Sequence, residues 1–109
     1  MREVVIAGAR RTPMGGFQGA LAAASAPELG GAAIRAALED AGAAPGAVEE
    51  VLMGCVLPAG QGQAPARQAG FAAGLGEAVP ATTINKMCGS GMKALMMAHD
   101  RVALGGGRR

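Results

Sequence analysis

Along the 109-residue chain, continuously apolar runs alternate with stretches of helical period. The run from Val4 to Gly8 (VVIAG) is continuously apolar and bounded by Gly and Arg, which predicts a first strand buried on both faces. From Ser25 to Gly42 the pattern lengthens, with Leu29, Ala33, Ala37 and Leu38 at helical spacing. Ser25 and Glu28 stand at capping-box spacing there, Pro27 is tolerated in a first turn, and Gly42 stops the helix. Val51 to Leu57 reads as a second strand and Pro65 to Gly74 as a second helix. The β-branched content of ATTINKMC, Ala81 to Cys88, predicts a third strand, and the stretch from Gly89 to Gly105 a third helix. The order β-α-β-α-β-α predicts an α/β fold with a mainly parallel sheet and right-handed crossovers. Ligands of such sheets sit beyond the carboxyl ends of the strands, and Cys88 lies at that end of the third.

Length and composition narrow the class. Residues 1–109 make one small domain, near the low end for an α/β enzyme. The chain is rich in Ala and carries 19 Gly, two Phe and no Trp or Tyr, so its core gains little area per residue at about 25 cal/mol per Å². Such a domain is expected to lean on a partner surface. A net charge of +2, with 17% charged residues, suggests neither disorder nor a nucleic-acid surface, and the pairs Arg10-Arg11 and Arg108-Arg109 are too small to change that. Cys55 and Cys88, without CxxC spacing or paired histidines, argue against a metal site and fit a reducing, cytoplasmic compartment. No run reaches the roughly 18 apolar residues of a membrane span. The N-terminus enters a strand pattern directly, without the look of a targeting peptide.

The chemistry concentrates at Cys88. A thiol at the start of a helix faces unpaired N–H groups and the positive end of the helix dipole, which favours the thiolate and so a nucleophile. Gly89 and Gly91 remove Cβ atoms from the approach, and N–H groups at the helix start can donate to the oxyanion formed when a thioester carbonyl is attacked. The plainer alternative is a buried strand-end cysteine with no chemistry.

Other features read as structural. GSGMKA, Gly89 to Ala94, satisfies the dinucleotide fingerprint, but it follows the third strand and no acidic residue stands about 20 residues on. Cys55 lies in an apolar strand with no glycine-opened helix behind it and reads as a small core hydrophobe. His99 follows Cys88 by eleven residues on one helix, roughly 16 Å at 1.5 Å each, too far to serve as its base within the same segment. Met87, Met92, Met96 and Met97 have mostly helical spacing and read as adaptable core packing.

Three motifs in order carry a family resemblance: AGARRTPMGGFQGAL from Ala7, VLPAGQGQAPARQA from Val56 and NKMCGSGMKA from Asn85. Together they resemble the N-terminal part of a thiolase, over essentially the whole chain. The resemblance implies a layered thiolase-like fold, present in part. It also implies an acetyl-CoA acetyltransferase of fatty-acid metabolism that uses coenzyme A thioesters as substrates and holds no bound cofactor. Cys88 matches the acyl-accepting nucleophile, whose backbone N–H helps to build an oxyanion hole. Gly60 to Ala69 matches a loop and helix near a dimer interface, so a homo-oligomer is implied.

In thiolases the activating histidine, the second cysteine, the asparagine of the other oxyanion hole and the loop domain that holds most of coenzyme A come from parts that these 109 residues do not match. Further strands are also implied, one beside Val4 to Gly8, with the third strand at the opposite edge pairing across a dimer. Two readings of different class are open. The sequence is that of a thiolase-type acyltransferase, inactive as the isolated 109 residues, or it is a non-catalytic dimerising or interaction module.

Overall fold

The computed structural model describes residues 1–105; the Arg108-Arg109 pair lies outside them. Helix α1 (Ala26–Ala41) opens where the capping box places it. The Ser25 hydroxyl accepts from the Glu28 N–H at 3.2 Å, and the Glu28 carboxylate accepts from the Ser25 N–H at 2.8 Å. Those bonds, to the Ser25 backbone first and its side chain second, hold the Glu28 carboxyl below its ordinary value. The helix ends at Gly42, whose φ of 67° is the left-handed conformation that favours glycine. After a short 3₁₀ turn (Pro45–Ala47), strand β1 (Val51–Gly54) runs parallel to β2 (Ala81–Ile84), in register from Val51 opposite Ala81 to Gly54 opposite Ile84. Helix α2 (Pro65–Ala72) makes the crossover between them, and α3 (Ser90–Ala103) follows β2.

The side-chain alternation of the strands assigns the layers. Val51, Met53 and Ala81 pack with Ala66, Ala73 and Leu75, and the Ala66 N–H at the start of α2 donates to the Thr83 hydroxyl at 3.0 Å. Thr83 thus supplies the cap that Ala64, at the N-cap of α2, lacks. Leu52, Gly54 and Thr82 face α3 instead. The two-stranded sheet is therefore held between α2 and α3, with α1 packed alongside α2 and meeting Met53 of β1 at Gly30. Small residues allow that close approach. A Cβ on Gly31 of α1 would fall 2.5 Å from the Ala72 Cβ and 3.2 Å from the Ala69 carbonyl oxygen. Gly31→Ala should force α1 away from α2 and lower stability by about 1–3 kcal/mol. An unchanged midpoint in urea titration would contradict this packing.

The first predicted strand is not a strand. Among the described residues the sheet has two strands, and Val4 to Gly8 joins no ladder. The segment is tethered at its two ends. The Arg2 N–H donates to the Ala103 carbonyl at 3.0 Å, while the Ala9 N–H and the Arg10 guanidinium donate to the Asp40 carboxylate at 3.3 and 3.0 Å. The Arg10 hydrogen bond, the Ala9 N–H and the Arg10 charge, in that order, lower the Asp40 carboxyl from its ordinary value. This tether therefore persists through mild acid and loosens only as pH falls through that lowered value. Between the tethers Val5 and Ile6 are about three-quarters exposed. A continuously apolar run signals burial on both faces, but burial needs a paired neighbour and covering layers; among the described residues the segment has no paired strand and meets α1 at Gly8, beside Ala37 and Ala41.

The remaining elements lie where the pattern puts them, with shorter strands. β1 stops at Gly54 instead of Leu57, and β2 at Ile84 instead of Cys88. Among the described residues no helix is long and apolar enough to cross a membrane.

Candidate active site

Beyond Ile84 the chain makes one tight turn before α3, and Cys88 stands in it. The Asn85 amide oxygen accepts from the Met87 N–H at 3.0 Å, and the Lys86 carbonyl accepts from the Gly89 N–H at 3.0 Å. The Lys86 N–H donates to the Ser90 hydroxyl at 2.9 Å; that hydroxyl donates in turn to the Met87 carbonyl at 2.6 Å. Met87 takes a φ of 49°, a left-handed conformation that costs a non-glycine residue about 1–3 kcal/mol and persists only where neighbours enforce it. The turn thus projects Cys88 outward. Its side chain is exposed and forms no disulfide.

The helix behind it begins without a side-chain cap, because Gly89 occupies the N-cap. The first N–H groups of α3 accordingly receive no side-chain acceptor from that position. A Cβ on Gly91 would meet nothing within 4 Å, and one on Gly89 only ordinary contact. These two glycines leave open space and relieve no packing within this chain. Gly54 is different: a Cβ there would fall 2.5–2.7 Å from backbone atoms of Ser90 and Gly91, so only glycine lets the end of β1 seat the first turn of α3.

The other candidates sort themselves by position. Cys55 lies one residue past β1, half-buried and free, with its N–H donating to the Ile84 carbonyl at 2.9 Å. It shares the carboxyl edge of the sheet with Cys88, and its partial burial places it at the margin of the core instead of inside it. His99 is exposed on α3, with Nδ1 3.1 Å from the Asp100 carboxylate, and makes no contact with Cys88. The methionines depart from the expected core role. Met87, in the turn, and Met92 and Met96, on α3, are all more than half exposed, while Met97 is half-buried. Sequence reasoning missed Asn85, Ser90 and Gly54. The only available signals were an Asx residue two before Met87 and a serine inside a glycine-rich helix start.

No wall surrounds the thiol. The grooves lined by Arg2, Glu50, Leu52 and Arg101, and by Thr82, Met97 and Leu104, run along the C-terminal half of α3 and do not include Cys88. Among the described residues no set of three or more His, Cys, Asp or Glu side chains could hold a metal ion.

Comparison with known proteins bears on this geometry. The family model described as "Thiolase, N-terminal domain" matches residues 4–108. The acetyl-CoA acetyltransferase of Cupriavidus necator is 57% identical over 105 residues, covering 96% of this chain and 27% of its own length. The mitochondrial acetyl-CoA acetyltransferase of Xenopus tropicalis is 54% identical over 98% of this chain and 27% of its own. Among solved structures, a thiolase of Ascaris suum in complex with coenzyme A superposes with a TM-score of 0.89 at 37% identity, over 92% of this chain and 26% of that one. An acetyl-CoA acetyltransferase of Syntrophomonas wolfei gives 0.86 at the same identity. The chain spans about a quarter of the length of these relatives.

Proposed function

Because this chain belongs to the thiolase family, we propose that Cys88 is an acyl acceptor for coenzyme A thioesters. The observation that carries the reading is the exposed thiol on a strained turn at the uncapped start of α3. In the step proposed, the Cys88 thiolate attacks the thioester carbonyl carbon and forms a new C–S bond. The tetrahedral oxyanion collapses and expels the coenzyme A thiolate, which takes up a proton. One thioester replaces another, so the exchange is nearly balanced and reversible. In the condensing direction, the carbanion of a second acetyl-CoA attacks the acyl carbon, a C–C bond forms, and the Cys88 thiolate leaves; thiolysis is the reverse.

What this chain contributes to that sequence is the nucleophile and the donors at the helix start. The proton transfers need groups that neither His99, turned to Asp100, nor Cys55, half-buried, is placed to supply. The substrate class is proposed as coenzyme A thioesters, since the solved thiolase of Ascaris suum is in complex with coenzyme A. A homo-oligomer is part of the reading, because among the described residues β2 pairs only with β1 and its other edge is open to pairing. So is a cytoplasmic location, on the strength of two unpaired cysteines.

A second reading has one observation in its favour. The unwalled surface around Cys88 and the exposed Met92, Leu95 and Met96 suit an interaction module as well as a catalytic half-site. Incubation with an activated acyl thioester, followed by quenching and peptide mapping, separates the two. An acyl group on Cys88 supports acyl transfer; folded protein that is never acylated there supports the interaction module.

A further inference from the structure

Ser90 is a buried polar residue, 5% exposed, in a turn whose other members are all exposed. A buried hydroxyl is unfavourable unless bonded, and this one is bonded twice, as acceptor and as donor. It is not used as a helix cap. Ser90 is the first residue of α3, and its oxygen reaches backward to Lys86 and Met87 instead of forward to the helix N–H groups. Those two residues immediately precede Cys88, and Met87 is the one held in the left-handed conformation. The Ser90 N–H adds a third bond to the Met87 carbonyl at 3.2 Å. On its other side the Ser90 backbone is seated against Gly54, where a Cβ could not fit. The serine therefore joins the sheet edge to the turn, and Cys88 and Gly89 are bracketed between its points of attachment.

We propose that Ser90 is a positioning residue for Cys88: its hydroxyl locks the turn from Lys86 to Met87 and so sets the direction from which the thiol meets an acyl carbon. The proposal rests on the reading of Cys88 as acyl acceptor. Without the hydroxyl, the Lys86 N–H loses its acceptor and the Met87 carbonyl keeps only the Ser90 N–H at 3.2 Å, so Met87 is freer to relax out of its left-handed conformation. The thiol would remain exposed and chemically competent but misdirected. Small displacements of that kind matter for a reaction with a geometric demand, since a shift of about 1 Å can cost about 100-fold. They matter far less for a small, undemanding alkylating agent.

The test compares two rates at Cys88, each assigned by peptide mapping: acylation by an activated thioester and alkylation by iodoacetamide. A purely structural role would move both together, so the readout is their ratio. Ser90→Ala should lower that ratio about tenfold or more, and Ser90→Thr, which keeps the hydroxyl, should restore most of it. An unchanged ratio in folded Ser90→Ala overturns the positioning role while leaving Cys88 as acceptor. Wild-type protein that is alkylated but not acylated at Cys88 overturns the premise instead. Should Ser90→Ala lose its cooperative unfolding transition, folded Ser90→Gly, which also lacks the hydroxyl, decides: a ratio lowered about tenfold supports the role and an unchanged ratio overturns it.

Discussion

Cys88→Ala should reduce acyl uptake from an activated thioester to the level of uncatalysed hydrolysis, whereas Cys55→Ala should leave it near the wild-type rate. The two thiols are close in environment, which makes the contrast informative. Both sit past the carboxyl ends of parallel strands, and both are free. They differ in their C-terminal neighbours. Cys88 is carried on a turn closed by Asn85 and Ser90 hydrogen bonds and backed by the first turn of α3. Cys55 is succeeded by Val56 and an exposed loop, with no helix start behind it. On the proposed reading, a thioester carbonyl at Cys88 would lie beside the uncapped start of α3, whereas one at Cys55 would have no helix start beside it. Retention of uptake in Cys88→Ala would move the nucleophile elsewhere.

The second large effect is an absence of turnover. Purified as these 109 residues, the protein should accept an acyl group slowly and then stop, with no measurable condensation of acetyl-CoA or thiolysis of acetoacetyl-CoA. Each positioned general acid or base contributes about 10²- to 10⁴-fold, and no ionisable side chain among the described residues is hydrogen-bonded to the Cys88 sulfur. His99 is the nearest candidate by chemistry, but it is exposed, lies in the C-terminal half of α3 and pairs with Asp100. Sustained acetoacetyl-CoA thiolysis at micromolar protein would overturn this and point to His99 donated by a second copy.

Much of this arrangement is legible in the sequence, for local reasons. Ser25, Glu28, Pro27 and Gly42 define α1 because capping depends on neighbours within four residues. Pro65 marks the start of α2 and the Gly89-Ser90 step that of α3 in the same way. Val4 to Gly8 misleads because its apolar pattern reports burial on two faces, a property of what lies around a strand, and among the described residues no strand pairs with it. Met92 and Met96 of α3 mislead for the same reason. Cys88 is visible as a thiol between a strand and a glycine-opened helix, but the turn that presents it is not. Its left-handed Met87, the backward-reaching Ser90 hydroxyl and the clearance at Gly54 are contacts across the chain, and no spacing rule records them.

If the fold, and not thiol chemistry alone, makes Cys88 the reactive group, the difference between the two cysteines must vanish with the fold. Competitive labelling of both with limiting iodoacetamide, in native buffer and again in urea, puts this to the test. Cys88 should be modified faster than Cys55 in the folded protein, and the two rates should converge on unfolding, as the turn, the helix start and the shielding of Cys55 disappear together. Faster modification of Cys55 in the folded state, or a preference for Cys88 that survives unfolding unchanged, would contradict it.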